Sequence, residues 1–351
     1  MKILFTSDYC EGALPQLMQR LMETNMVQTV GYGEDVFCGH ARELIKRACG
    51  APDADVHFLV GGTQTNTTVI TSILKPYQGV LCADTGHINV HETGAIEHGG
   101  HKVLALPSVD GKITAQQIED AVNEHFQDES HEHIVMPGMV YVSFPTELGT
   151  IYSYEELSAI SKVCRAHGMP LFVDGARLGY GLAASELAYG EAGALTLQRL
   201  ASLADVFYIG GTKQGALFGE AVVITKASLK PDFRYCIKQG GGMLAKGRLL
   251  GVQFEALFED GLYLDSSRSA VAQAARIRDA FAARGISFLV DSPTNQIFPI
   301  LTPAQIEVLA RDFGFETWRR MPDGHVAVRF CTSWATPASN VDTLLEAVAA
   351  L

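Results

Sequence analysis

Short apolar runs alternate with capped, amphipathic stretches along most of this chain. VHFLV (56–60), IVMPGMVYVS (134–143), PLFVDG (170–175) and DVFYIG (205–210) are bounded by breakers and are too short for helices, so they read as buried strands. Helix starts recur around them. Thr114 with Gln117, Ser153 with Glu156, and Thr302 with Pro303 and Gln305 each pair a capping hydroxyl with a third residue able to return a hydrogen bond. Strands alternating with helices over residues 50–225 predict an α/β fold: a mainly parallel sheet covered on both faces, with ligands at the carboxyl ends of its strands. After residue 240 the pattern changes to a long helical stretch (about 247–284), NQIFPIL, the capped helix from Thr302, HVAVRF and a final helix near 337–350. That predicts a smaller α+β domain over 246–351, following a large domain over 1–245 that includes the N-terminal segment.

Composition agrees with this division and narrows the partners. At 351 residues the chain exceeds the usual size of one hydrophobic core. A net charge of −12 leaves no electrostatic footprint for nucleic acid or an anionic membrane surface. No run of about 18 apolar residues appears, and Asp8 and Glu11 interrupt the N-terminus before any signal-peptide core. The seven cysteines are odd in number and scattered, without a CxxC spacing. A reduced, cytoplasmic setting and a small-molecule substrate are the expectations.

Four features carry chemistry. In GGTQTNTTVITSIL (61–74) paired glycines leave a strand and a Thr-rich helix follows at once, offering free amides to an anion; Gly-Gly-Thr is also a common strand-to-helix turn. In FVDGARLGYG (172–181) Asp174 ends an apolar strand and needs a cationic partner. A protonated pyridine nitrogen would serve, and so would a structural salt bridge to Arg177. Lys213 stands in a glycine-rich turn between two apolar strands, where burial lowers an amine's pKa and frees it for imine chemistry; a lysine snorkelling to solvent is the plainer alternative. His87 and His91 in CADTGHINVHETGA (82–95) are four apart, a spacing that suits a shared metal, but no third ligand suggests itself and no metal is expected. His125, His131 and His133 in HFQDESHEHI read as a polar loop.

Taken in order, the glycine turn, HINVHETGA, VDGAR and the lysine after GGT resemble the fold-type I pyridoxal 5′-phosphate (PLP) enzymes of the threonine aldolase and aromatic β-eliminating lyase family. The resemblance runs from TSDYCEGALP (6–15) and GYGED (31–35) through KQGGGMLAKGR (238–248) to AVRFCTSW (327–334). It implies a large domain built on a seven-stranded sheet. It also implies that Gly62, Thr63 and Gln64 hold the cofactor phosphate, His87 stacks on the pyridine ring, and Asp174 keeps the ring nitrogen protonated. Lys213 would carry the cofactor as a Schiff base. Ser7, Arg177 and Arg329 would hold the substrate carboxylate, and Tyr32 and Lys246 would reach a neighbouring subunit's site in a homodimer or homotetramer.

The reaction implied is cleavage of a β-hydroxy amino acid, threonine or allo-threonine, to glycine and an aldehyde; the alternative is β-elimination to ammonia and a 2-oxo acid. The chain departs from the family pattern at two places. FPTELGT (144–150) puts Glu147 where family aldolases often carry a second histidine, making Glu147 a candidate general base alongside His87. Leu244 replaces the usual arginine after GGGM, with Lys246 two residues on as a possible substitute. A nicotinamide-dependent dehydrogenase, from another class, would need a GxGxxG turn that is missing.

Overall fold

The computed structural model describes residues 2–351. Its centre is a seven-stranded sheet, in spatial order Asp55–Leu59, Glu220–Ile224, Val206–Gly210, Leu171–Asp174, Met136–Ser143, Gln78–Ala83 and Val103–Leu106. Glu220–Ile224 runs antiparallel to both its neighbours, and the other six strands run in one direction. Both faces are covered, and the period-two alternation separates them. Val140, Val142, Leu171, Val173, Phe207 and Ile209 pack into one core, whereas Met139, Tyr141, Phe172, Val206 and Tyr208 pack into the other.

All three anticipated capping boxes form, at Thr114, Ser153 and Thr302. The long helix expected over 247–284 is two helices, Arg248–Glu259 and Leu262–Ala283. Between them Gly261 takes φ 74°, a left-handed conformation that ends one helix and admits the next. HFQDESHEHI is not the loop expected of it. His125 lies buried in the helix Ala115–Gln127, its ring edge-on to Phe126, and His131–His133 form a single 3₁₀ turn.

A second, smaller sheet joins Ile300–Leu301, Val326–Cys331 and Glu316–Arg320, with Gln296–Ile297 also on the central strand. Glu316–Arg320 escapes the apolar-run criterion because its side chains are largely exposed. The N-terminal segment belongs spatially to this part of the molecule. Ile3–Leu4 pairs in parallel with Phe313–Gly314, and Phe5 is buried with Ile277, Phe281, Val328 and Phe330.

Register decides where chemistry can gather. Ser143 pairs with Asp174, and Gly210 pairs with Glu220, the first residue of the reversed strand. Because that strand enters the sheet where its neighbours leave it, Glu220 joins Ser143 and Asp174 at one end of the sheet.

Candidate active site

A cavity of about 340 Å³ opens at that end, large enough for a small cofactor or substrate. Gly61, Gly62, Thr63, His87, Glu147, Asp174, Arg177, Lys213 and Glu220 line it, with Tyr9 and Phe218. Six residues singled out from the sequence therefore share one wall system with Gly62. Their sequence separation is closed by the topology: each sits at the end of a strand, in the turn that follows or at the start of the next helix.

Asp174 is 4% exposed and meets donors on both carboxylate oxygens. Asn66 Nδ2 (3.1 Å) and the Tyr141 hydroxyl (2.5 Å) donate to Oδ2, while the Tyr208 hydroxyl (2.5 Å) and the Ala176 amide (2.9 Å) donate to Oδ1. Burial alone would raise its pKa, but His87 and these hydrogen bonds outweigh it and hold the carboxyl below its ordinary value. The alternative partner is excluded by geometry. Arg177 turns instead to Asp8, through Nε (2.6 Å) and Nη2 (3.0 Å), and Asn295 also donates to Asp8 (2.9 Å).

A polar chain runs around the cavity from Asp174. Asn66 Nδ2 also donates to Glu92 (2.7 Å), and Glu92 meets His87 Nδ1 (2.7 Å). The His87 backbone amide donates to Glu147 (2.9 Å), as does the Ser143 hydroxyl (2.6 Å). Burial opposes charge on His87, but Glu92 and Asp174 prevail and raise its pKa. Glu147 is raised too, chiefly by burial. The i,i+4 histidines are tilted 50° with ring centres 5.6 Å apart, and His87 has Glu92 for a partner.

Lys213 lies within the cavity wall, its pKa lowered by burial and by the Arg177 charge. Its carbonyl accepts the Tyr180 hydroxyl (2.6 Å). Across the cavity, Gly61 and Gly62 lead into the twelve-residue helix Gly62–Ile73, whose first amides lack helical partners. These groups suit PLP: a neutral-leaning amine, an ionised buried carboxylate for a ring nitrogen, and an amide-rich helix start for a phosphate.

The other anticipated residues stand outside the cavity wall. Gln64 braces the glycine turn, accepting from the Val60 amide (3.2 Å) and donating to the Gly240 carbonyl (3.1 Å). Ser7 contacts Cys10 Sγ (3.2 Å). Arg329 is buried, donating to Gln296 Oε1 and the Thr6 carbonyl (3.0 Å each) and meeting Glu316, with its guanidinium over the Trp318 ring. Tyr32 lines a separate crevice with Arg42, Arg234 and Leu244, and Lys246 is exposed nearby in sequence. Sequence reasoning missed Asp8, Asn66, Glu92, Tyr141, Tyr208 and Glu220. Tyr141 and Tyr208 read as core aromatics because their rings are buried and only the hydroxyls reach Asp174.

The family model of the beta-eliminating lyases matches residues 5–301. The chain belongs to this family. Among the relatives of this chain is the low specificity L-threonine aldolase of Pseudomonas aeruginosa, 30% identical over 349 residues, covering 97% of this chain and 95% of that one. A second, the low specificity L-threonine aldolase of a Pseudomonas species, is 29% identical over 356 residues, covering 99% and 97%. Among solved structures, the threonine aldolase of Leishmania major superposes with a TM-score of 0.94 at 42% identity, covering 99% of this chain and 98% of that one. Aspartate aminotransferase from Thermus thermophilus shares the fold at 15% identity, TM-score 0.70, over 99% and 91% of the two chains. Family and fold together make this chain a fold-type I, PLP-dependent lyase.

Proposed function

We propose that this lyase cleaves β-hydroxy amino acids, threonine or allo-threonine with low specificity, between Cα and Cβ to give glycine and an aldehyde. The observation that carries the reading is the half-buried Glu147 carboxyl, held by the His87 amide and the Ser143 hydroxyl in the same cavity as Lys213 and Asp174. A retro-aldol cleavage needs a base for the β-hydroxyl proton beside the groups that activate Cα. The names of the relatives support the same substrate class.

PLP bound here would supply an electron sink for the pair left at Cα when the Cα–Cβ bond breaks. Gly62 and Thr63 present amides to its phosphate, with Gln64 bracing their turn. Asp174 would hold the proton on the ring nitrogen, the His87 ring, fixed by Glu92, would pack against the cofactor, and Lys213 would provide the amine that anchors it. Arg177, the one of the anticipated carboxylate-binding residues in the cavity wall, would orient the substrate carboxylate; Asp8 spans its Nε and Nη2 and so fixes the plane of its guanidinium. Glu147 takes the hydroxyl proton at Oε. Its raised pKa makes it a stronger base, once ionised, than an ordinary carboxylate.

Met22, Met26, Val30 and Val36 are strongly exposed beside Tyr32 on the N-terminal helices and their connection. Such an apolar patch supports a homodimer or homotetramer, with Tyr32 and Lys246 turned to a neighbour's site. The seven cysteines are all unpaired, which supports the reducing cytoplasm. No helix among the described residues is long and apolar enough to cross a membrane.

The test is a substrate panel with the PLP-loaded protein. Glycine and aldehyde should appear from threonine or allo-threonine, and Lys213→Ala should lose both turnover and the visible absorbance of the bound cofactor. Ammonia and a 2-oxo acid from aromatic or sulfur-containing amino acids, with no glycine from any β-hydroxy amino acid, would replace cleavage by β-elimination.

A further inference from the structure

Glu220 has no part in the roles above, yet it is 3% exposed, lines the cavity and sits on the reversed strand opposite Gly210. Its two carboxyl oxygens divide their work within the turn that carries Lys213. Oε2 accepts the Gly211 amide (3.1 Å), and Oε1 accepts the hydroxyl of Thr212 (2.9 Å), the residue before Lys213. Thr212 Oγ1 in turn accepts the Gly219 amide (3.0 Å), while the Gly211 and Thr212 amides return to the Gly219 carbonyl (3.0 and 3.2 Å). Glu220 thus ties both ends of the turn together from inside the sheet.

The clamp uses both carboxyl oxygens as acceptors, where an amide would present one oxygen and one NH2, but burying a carboxyl without full compensation is costly. What a carboxyl adds is charge. The charged and titratable groups facing the pair come from every neighbouring element. They are Asp174 on its strand, Arg177 after it, Tyr208 on the adjacent strand, His87 in the cavity wall, Asp8 on the N-terminal segment, Cys331 at the end of the strand Val326–Cys331 and Tyr263 on the helix Leu262–Ala283. Burial pushes the Glu220 carboxyl up to about 8 against the opposing pull of Lys213, and Glu220 in turn favours charge on the Lys213 amine.

We propose that Glu220 is the positioning residue for Lys213: it clamps the turn that carries the amine and brings a carboxylate to the same cavity, where its charge sets how readily Lys213 gives up its proton. The inference rests on Lys213 being the reactive amine of the proposed function. It adds a carboxylate partner that balances Arg177, whose positive charge otherwise drives the amine toward neutrality.

The experiment follows Lys213 itself. The full-length, cofactor-stripped chain is reductively methylated over a pH series, and the modification of Lys213 is read by peptide mass spectrometry. Removing an opposing carboxylate lowers an amine's pKa, so Glu220→Gln should move the labelling midpoint down by about one pH unit. Glu220→Asp, which restores charge but shortens the reach, should bring the midpoint back toward wild type. A structural clamp alone would not separate these two variants. Coincident midpoints for wild type and Glu220→Gln, both folded by circular dichroism, overturn the proposal. Should Glu220→Gln fail to fold, Thr212→Val decides, because it releases Oε1 from the turn: a labelling midpoint that coincides with wild type overturns the proposal. Failure of the chain to take up PLP at Lys213 would count against the proposed function instead.

Discussion

Glu147→Gln removes a proton acceptor from the cavity with almost no change in volume. The amide oxygen can still receive the His87 amide and the Ser143 hydroxyl, now at 2.9 and 2.6 Å. The structural cost should therefore stay within about 1 kcal/mol, the value of a typical hydrogen bond. Stability also gains a term. A carboxyl whose folded pKa is raised above the ordinary 4.5 carries a penalty that is absent well below that value and complete above the folded pKa. Gln has no such penalty, so the variant's advantage should grow as pH rises through that window. Catalysis should move the other way. A positioned general base contributes about 10²–10⁴ in rate, or about 2.7–5.4 kcal/mol at about 1.36 kcal/mol per decade. The assay is aldehyde release from threonine coupled to a reductase, run over a pH series on PLP-loaded protein. Wild-type kcat should fall as acid protonates Glu147, and the variant should have a low kcat without that limb. A variant whose kcat stays within about threefold of wild type, with the same acid limb, would refute Glu147 as base.

Asp8→Ala leaves the Arg177 guanidinium buried without its bidentate partner and should cost about 3–5 kcal/mol in urea unfolding. Asp8 sits below its ordinary 3.8 because Arg177, Lys213 and hydrogen bonds overcome burial. Its contribution is therefore complete above 3.8 and lost as pH falls through the lower folded value, so wild type and variant should converge in strong acid. Gly175→Ala would put a methyl carbon 1.9 Å from the Tyr208 carbonyl oxygen, in the residue after Asp174. It should lower stability by about 1–3 kcal/mol and weaken PLP uptake, measured by thermal melting and absorbance titration.

Chemistry that lies in strand-end turns was legible in the sequence. Lys213, Asp174 and Gly62 each follow an apolar strand, and a parallel sheet brings such ends together whatever their order in the chain. The capping boxes were legible because each depends on residues three apart. What stayed hidden depends on partners far away. Nothing local marks Asp8 as the counter-charge of Arg177, 169 positions on. Asn66 looked like one more polar residue in a Thr-rich helix, though its amide links Asp174 to Glu92. Glu220 was invisible because strand polarity is not written in an apolar run. Only its reversal brings that residue to the reactive end.

The N-terminal segment has a consequence for the order in which this protein can become active. Residues 3–4 dock on 313–314, the Phe5 carbonyl accepts the Cys331 amide, and Asp8 then grips Arg177 with help from Asn295. During synthesis the seven central strands are complete at residue 224, yet the segment emerging first must wait for the one emerging last before Arg177 is fixed. A nascent chain can hold its lysine, aspartate and glycine turn in place while lacking the Asp8–Arg177 clamp to which the proposed function assigns the substrate. Substrate binding would then report completion of the whole chain, and a ribosome-stalled product with about 245 residues clear of the exit tunnel should take up PLP more readily than it turns over threonine.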